Sequence, residues 1–228
     1  MMDVVYNCRT GKNEELRYSM RSAYDNLDYD SLWVVGGKPD WYAGNFVEQE
    51  WDSSKEVRER LGFKAIVGAP EIAEDFILMN DDFYVLQKID KLVNWNGGLL
   101  KDKVKIYNQI APVYSYTLLL KQTYNYLILQ GIKDPLDFEM HTPMIMNKTN
   151  LSYIVDMPML TRSLYGNMFS VDSEQHKDVK VYPRGQFNNR SFDMDQETPY
   201  LSSMDETFTD VLNKILKDRF VSESPYER

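Results

Sequence analysis

Short apolar runs separated by polar loops dominate the first 90 residues of the chain. A β-branched run at residues 3–8 and the run Ser-Leu-Trp-Val-Val at residues 31–35 each predict a strand. Between them, apolar residues recur at helical spacing over residues 14–26. A strand, a helix and a strand with short connections form a βαβ unit, so we expect the two strands to lie parallel in one sheet.

The run Phe-Ile-Leu-Met at residues 76–79 is apolar throughout, which is typical of a central strand buried on both faces. The segments before it predict a strand at 46–51, a helix at 55–61 capped by Ser53 or Ser54, and a helical turn at 70–74. The first part of the chain therefore has the pattern of an α/β sheet.

The second half is predicted to be more helical. Its predicted elements are one long helix or two around Pro112 at 107–130, short helices at 151–157 and 159–167, strands at 179–182 and 200–203, a mobile polar loop at 184–198, and an amphipathic helix at 205–220. We expect one α/β domain over residues 1–228, with a nucleotide- and metal-binding core at 1–90 and a helical, acceptor-side elaboration at 91–228.

Composition narrows the class of protein. The 228 residues include 26 Lys and Arg against 35 Asp and Glu, for a net charge of −9, which argues against a nucleic-acid coat or an anionic-membrane binder. The single Cys8 excludes an internal disulfide, and only two histidines make a multi-histidine metal site unexpected. With neither a signal peptide nor a run of 18 apolar residues, we expect no membrane span and a cytoplasmic location.

An acidic pair, Asp81-Asp82, follows the predicted central strand at the edge where open α/β sheets bind ligands. Carboxylates there suit Mg²⁺ or Mn²⁺, hard cations that often share their oxygen ligands with substrate phosphates. The alternative is an ordinary acidic turn. The loop from Arg9 to Asn13 follows the first predicted strand. Its cations and backbone N–H groups could bind a diphosphate or a base. The alternative is an ordinary strand-to-helix loop with solvated charges.

Four further residues have both a chemical and a structural interpretation. His141 is a proton shuttle or a packed loop residue, and Arg162 is a phosphate clamp or a helix-surface residue. Asp205 is a site carboxylate or a helix N-cap. Arg17 is a pocket residue or a member of a solvated helix face that pairs with Glu14.

Four sequence blocks carry a family resemblance. They are Asp-Val-Val-Tyr at 3–6, Glu-Leu-Arg-Tyr-Ser-Met-Arg-Ser at 15–22, Leu-Trp-Val-Val-Gly-Gly-Lys-Pro-Asp-Trp at 32–41, and Phe-Ile-Leu-Met-Asn-Asp-Asp-Phe at 76–83. The chain resembles the Stealth proteins, the capsular-polysaccharide phosphotransferases, and especially their short bacteriophage-encoded, glycosyltransferase-like members. Weaker later blocks lie at His141 with Pro143, at Arg162 with Tyr165, and around Asp205.

The resemblance implies a GT-A-like, Rossmann-like core that uses a nucleotide-sugar donor. It implies that Asp82, with Asp81, holds Mn²⁺ or Mg²⁺, and that His141, Arg162 and Asp205 are catalytic. The nucleotide pocket would be formed by Arg9, Asn13, Glu15, Arg17 and Asp81.

We therefore expect a metal-dependent glycosyltransferase that modifies a protein or glycan acceptor. A phage virion protein is one candidate for that acceptor. One alternative is transfer of a sugar 1-phosphate to a glycan hydroxyl. An alternative of another class is a non-catalytic glycan-binding module, to which the 13% aromatic content would contribute. The donor base, the sugar and the oligomeric state stay open.

Overall fold

The computed structural model describes residues 1–50, 52, 54–182, 198–208 and 212–228. The strands are β1 Asp3–Cys8, β2 Leu32–Gly36, β3 Asn45–Val47, β4 Asp75–Met79, β5 Phe83–Val85, β6 Asn94–Asn96, β7 Met144–Asn147, β8 Ser173–Gln175, β9 Lys180–Val181 and β10 Tyr200–Ser203. The helices are α1 Glu14–Asn26, α2 Lys55–Gly68, α3 Leu100–Ile110, α4 Ser115–Leu129, α5 Lys148–Ser152, α6 Thr161–Met168, α7 Asp205–Thr207 and α8 Asn213–Arg219.

The main sheet has five strands in the order β3-β2-β1-β4-β7. The first four are parallel, and β7 joins the edge antiparallel to β4. Val5 in the central strand β1 lies opposite Trp33 on one side and Leu78 on the other. The chain is therefore a mixed α/β protein with a mainly parallel sheet, as the apolar runs predict.

Alternate residues of the central strands enter two hydrophobic cores because successive side chains point to opposite faces. Val5 and Leu78 pack on one face with residues of α2, α4 and α6, whereas Val4 and Ile77 pack on the other with residues of α1. Both cores draw side chains from both halves of the chain. All four residues of the run Phe-Ile-Leu-Met therefore pack into one of the two cores.

A second, three-stranded sheet of order β5-β10-β9 brings the late part of the chain to the carboxyl end of β4. β10 runs antiparallel to β5, with Ser202 opposite Phe83, and parallel to β9. This return places residues near position 180 and positions 202–205 beside the acidic pair that precedes β5.

Several predicted elements are confirmed with their boundaries, notably β1, α1 and β10. Others differ in extent. Strand 46–51 is only Asn45–Val47, helix 55–61 continues to Gly68 because Phe63 and Ile66 remain buried in the core, and segment 70–74 forms turns without a helix. Of the region 107–130, Pro112 separates α3 from α4, which settles the choice in favour of two helices.

The second half contains more strands than its sequence predicts. Strands β6, β7 and β8 were not expected, since each has only three or four residues and lacks a clear alternating pattern. The short helices begin at Lys148 and Thr161. Of the predicted helix 205–220, α7 and α8 are described, and residues 209–211 lie outside the described residues. The predicted mobile loop at 184–198 also lies, except for Thr198, outside the described residues. Among those described, no helix combines the length and apolar character needed to cross a membrane.

Candidate functional site

The residues that follow β1 and β4 meet at one edge of the main sheet. Parallel neighbouring strands end at the same edge, so Arg9 after β1 and Asp81 after β4 are brought together. The Arg9 Nε lies 3.2 Å from Asp81 Oδ2. This is the edge at which open α/β sheets bind ligands.

One guanidinium stands among three carboxylates at this edge. Arg9 pairs with Asp81, donates to Glu15 through Nη2, and donates to Asp205 Oδ2 through Nη1 at 2.7 Å. We call Arg9, Glu15, Asp81 and Asp205 the Arg9 cluster. Four of the sequence-predicted site residues therefore converge, although they are separated by up to 196 positions in the chain.

Asn13 links the start of α1 to the Arg9 cluster. Its Oδ1 accepts from the backbone N–H of Leu16 at 3.3 Å, which caps the helix, and its Nδ2 donates to Asp81 Oδ2 at 2.8 Å. Asn13 has a φ of 44°, a left-handed conformation that asparagine tolerates better than most residues. One side chain thus fixes both the helix end and the orientation of Asp81.

Negative charge exceeds positive charge in the Arg9 cluster. Burial and the neighbouring Asp81 raise the pKa of Glu15 from 4.5 to about 7, although Arg9 acts in the opposite direction. Burial and the adjacent Asp82 likewise raise the pKa of Asp81. The Ser203 hydroxyl, 3.1 Å from Glu15 Oε1, adds a neutral donor but no charge. A further cation at this edge would be favoured electrostatically.

Asp82 has partners that no sequence motif indicates. Its Oδ2 accepts from Lys180 Nζ at 3.0 Å and from the Ser202 hydroxyl at 3.1 Å. Burial acts to raise the pKa of Asp82, but Lys180, His141 and Ser202 outweigh it and lower the pKa below its ordinary value. Within the acidic pair, the pKa of Asp82 is thus lowered while that of Asp81 is raised.

The acidic pair suits a divalent cation in chemistry but supplies only part of its coordination shell. Carboxylate oxygens are the ligands that Mg²⁺ and Mn²⁺ prefer. Within the described ranges, no group of three or more His, Cys, Asp or Glu side chains is arranged to hold a metal ion. An ion at Asp81 and Asp82 would need further oxygens from water or from a bound ligand such as a diphosphate.

His141 forms a pair with Asp178. The Nδ1 of His141 lies 2.8 Å from Asp178 Oδ2, and the backbone N–H of His141 donates to Asp178 Oδ1 at 3.2 Å. Burial acts to raise the pKa of Asp178, but His141 outweighs it and holds the pKa far below its ordinary value. Because an ionised carboxylate only accepts, Nδ1 carries the proton and a neutral ring keeps a lone pair on Nε2. The geometry is that of a general base with an orienting carboxylate.

Arg162 supports the loop that carries His141. Its side chain is 5% exposed, and it donates to the carbonyl oxygens of Met140 and Thr142, the residues on either side of His141. The guanidinium also lies over the ring of Phe83, 5.2 Å from its centroid. The structure thus places Arg162 behind His141, with its donors directed to the protein backbone.

Arg17 does not join the Arg9 cluster. It pairs with Glu227 Oε2 at 2.8 Å and with Glu14 at 3.2 Å, and it stacks on Trp41. Arg21, one turn further along α1, also pairs with Glu227 Oε2, at 2.7 Å. We call Arg17, Arg21 and Glu227 the Glu227 cluster. It fastens the C-terminal segment to α1.

Sequence reasoning missed Asp178, Lys180 and Ser202. They lie in or beside the short strands β9 and β10, and no spacing rule links them to Asp82 or His141. The one available signal was the predicted pair of late strands, which had to return to the sheet. The Asp205 alternative as an N-cap is wrong, because Met204 is the N-cap and Asp205 is the first residue of α7.

Comparisons with known proteins give little beyond this geometry. No family model and no curated protein sequence matches the chain. Among solved structures, the chain is similar to mouse xyloside xylosyltransferase 1 in its apo form, with 8% identity and a TM-score of 0.36 over 99% of this chain and 95% of that one. A likeness at this level carries no conclusion about function, so the functional assignment depends on the site.

Proposed function

We propose that the chain is a metal-dependent glycosyltransferase with a GT-A-like core and a nucleotide-sugar donor. The observation that carries the proposal is the convergence of Arg9, Asp81 and Asp82 at the carboxyl edge of parallel strands, beside the His141–Asp178 pair. A local cation, an acidic pair and a histidine base at a ligand-binding edge are the groups that transfer from a diphosphate leaving group requires.

On the donor side, Asp82 and Asp81 are the residues that would hold Mn²⁺ or Mg²⁺ together with the oxygens of the diphosphate. When bound, such an ion neutralises charge on the leaving diphosphate. Arg9 is half-exposed and is restrained by Glu15 and Asp205, so its guanidinium is held in place to donate to an anionic ligand. Asn13 orients Asp81 for the same task.

On the acceptor side, His141 would take the proton of the attacking hydroxyl at Nε2. Asp178 selects the tautomer and stabilises the imidazolium that forms. Arg162 is assigned a positioning role, since its bonds to the carbonyls of Met140 and Thr142 fix the loop. We therefore propose that Arg162 positions His141, and we do not assign it a direct contact with phosphate.

Aromatic side chains from α3 and α4 lie near this base. The rings of Tyr107 and Tyr116 meet edge to face at 5.1 Å, and Asp178 is among the charges that act on both hydroxyls. Both side chains are partly buried against the hydrophobic core, so they form the wall of the protein on this side of His141. We assign the acceptor to the side of His141, with a protein or a polysaccharide as the two candidates.

The His141–Asp178 pair also favours a second candidate, transfer of a sugar 1-phosphate. In that reaction the activated hydroxyl attacks the β-phosphorus instead of the sugar carbon, and positioning with charge neutralisation does most of the work. The same residues serve both reactions. The mass added to the acceptor distinguishes them, since one product gains a glycosyl unit and the other a glycosyl phosphate.

The test is a thermal-shift screen of nucleotide sugars with and without Mn²⁺, followed by product mass measurement with any donor that raises the melting temperature. We expect Asp82→Asn to abolish the Mn²⁺-dependent part of the shift and to lower turnover about 10³-fold. Asp28→Asn, at an exposed aspartate paired with Lys88, is the matched control and should change neither.

If no nucleotide sugar raises the melting temperature, either with or without Mn²⁺, the protein is not a nucleotide-sugar transferase. A nucleotide-dependent shift without any turnover, in the presence of varied acceptors, would favour the non-catalytic binding module. Full turnover by Asp82→Asn would remove the acidic pair from the mechanism.

A further inference from the structure

Two basic side chains bind the acidic pair, and they are held in different ways. The Arg9 guanidinium pairs with Asp81 and also with the other two carboxylates of the Arg9 cluster. The Lys180 ammonium lies 3.0 Å from Asp82 Oδ2, and within the described ranges Asp82 is the one carboxylate with which it forms an ion pair. Three carboxylates thus hold the guanidinium of Arg9, whereas a single carboxylate holds the ammonium of Lys180.

The three-stranded sheet supplies both side-chain donors of Asp82. Lys180 on β9 and Ser202 on β10 lie opposite each other in adjacent parallel strands, so their side chains point to the same face. Ser202 in turn lies opposite Phe83, the residue that follows Asp82. The buried Ser202 hydroxyl donates to the same Asp82 oxygen as the lysine, at 3.1 Å. Asp82 therefore keeps a neutral donor when the ammonium of Lys180 moves.

Lys180 and Asp82 can both be reached from outside the protein. The exposed fraction of the side chain is 18% for Lys180 and 15% for Asp82. A lysine ammonium stands on a flexible four-carbon stem and directs three donors, so it can turn to a new acceptor while the backbone stays in place. His141 also acts on the charge of Asp82, but its Nδ1 is bound to Asp178. Lys180 is therefore the cation at the acidic pair that changes partner most easily.

A divalent cation and the Lys180 ammonium compete for Asp82. A Mg²⁺ ion coordinated by a carboxylate oxygen lies roughly 2 Å from that oxygen. The Lys180 Nζ is 3.0 Å from Asp82 Oδ2. Two positive groups at such a separation repel each other strongly in a partly buried site. A diphosphate offers negative oxygens to both groups, so its binding relieves the repulsion.

We propose that Lys180 couples the binding of a divalent cation to the binding of the diphosphate. Its ammonium leaves Asp82 and donates to a non-bridging oxygen of the diphosphate, and Asp82 becomes a ligand of the cation. The carboxylate exchanges one positive partner for another and is not left unpaired. The choice of a diphosphate as the ligand rests on the proposed function. The inference adds a second basic residue to the donor side and predicts that the cation binds weakly without the diphosphate.

The alternative is a permanent ion pair that only holds β9 beside the start of β5. Neutralising Lys180 would then loosen Asp82 and weaken the binding of every ligand at this edge. The exchange predicts effects of opposite sign on two ligands. Without its charge, the cation loses a competitor for Asp82, whereas the diphosphate loses a donor.

The experiment uses the full chain with two probes, Mn²⁺ alone and inorganic pyrophosphate with saturating Mn²⁺, neither of which depends on the donor base or sugar. Lys180→Gln keeps a neutral donor for Asp82. We expect it to raise the affinity for Mn²⁺ alone about tenfold, measured by electron paramagnetic resonance. We expect it to lower the affinity for pyrophosphate about tenfold or more, measured by isothermal titration calorimetry. Lys180→Met should shift both affinities in the same directions, and Lys180→Arg, which keeps the charge, should bind Mn²⁺ like the unchanged chain.

The matched control is Lys88→Gln, because Lys88 forms the same kind of pair with the exposed Asp28. It should change neither affinity. The exchange is overturned if a Lys180→Gln or Lys180→Met chain that melts like the unchanged chain loses affinity for both probes, or binds pyrophosphate as tightly as before. An unchanged chain that binds neither Mn²⁺ nor pyrophosphate would overturn the proposed function together with this inference. Binding of both probes by the unchanged chain, without opposite shifts in the variants, would overturn this inference alone.

Discussion

Helix α1 contributes to two charged clusters of opposite balance. In the Arg9 cluster one guanidinium faces three carboxylates, and the pKa of Glu15 is raised to about 7. In the Glu227 cluster one carboxylate, 1% exposed, receives two guanidinium groups, and although burial opposes this, the pKa of Glu227 is lowered to about 2. The second cluster is electrostatically satisfied and closes the fold. The first is left with excess negative charge, which is expected where a protein binds a cation.

The largest contrast should appear in stability. Glu227→Gln removes the charge that two buried or half-buried arginines share, so we expect it to lower the free energy of unfolding at pH 7 by about 2–3 kcal/mol. Glu15→Gln removes a charge that the folded state disfavours, so we expect a change of less than about 1 kcal/mol. Urea unfolding followed by circular dichroism measures both. If both variants lost the same free energy of unfolding, the charge of Glu15 would be as stabilising as that of Glu227, and the contrast between the two clusters would be wrong.

A smaller contrast concerns nucleotide binding. The sequence predicts both Arg9 and Arg17 in the nucleotide pocket, whereas the structure places Arg17 in the Glu227 cluster. We expect Arg9→Lys to weaken the affinity for a nucleoside diphosphate with Mn²⁺ about tenfold, since lysine lacks the planar fork of donors. Arg17→Lys should leave the affinity unchanged and lower the melting temperature. Isothermal titration calorimetry measures the affinity of both variants. A loss of affinity in both would mean that Arg17 also contributes to nucleotide binding.

The same contrast shows what the sequence could predict. The strands β1 and β4 and the helix α1 have strong local patterns, so their ends, and with them Arg9, Asn13, Glu15 and Asp81, could be placed at one sheet edge in advance. The partners of Asp82 and His141 could not. Lys180, Ser202 and Asp178 reach the site only because β10 pairs with β5 and β9 pairs with β10, and such long-range pairing of two- to four-residue strands leaves no local signal.

Arg17 is the reverse case, a residue with a strong local signal whose partners include a distant one. It lies on the predicted helix within a block that resembles a family motif, and only the position of the C-terminal segment decides its role. Arg162 is similar, because its burial behind His141 follows from the packing of α6 and not from its own neighbours in sequence. Residue type and motif indicate that an arginine matters. Tertiary structure determines whether it faces a ligand or the backbone.

The smallest expected effect is the pH dependence of stability, measured without divalent cations. The folded-state pKa of Glu15 is raised from 4.5 to about 7, so its contribution to stability is present below pH 4.5 and is lost as the pH rises to about 7. The folded-state pKa of Glu227 is lowered from 4.5 to about 2, so its contribution is present above pH 4.5 and is lost as the pH falls to about 2. Glu15→Gln should therefore flatten the loss of stability between pH 4.5 and 7, and Glu227→Gln should flatten only the acid side. If Glu15→Gln changed the acid side instead, Glu15 would be an ordinary paired carboxylate and the two clusters would be alike.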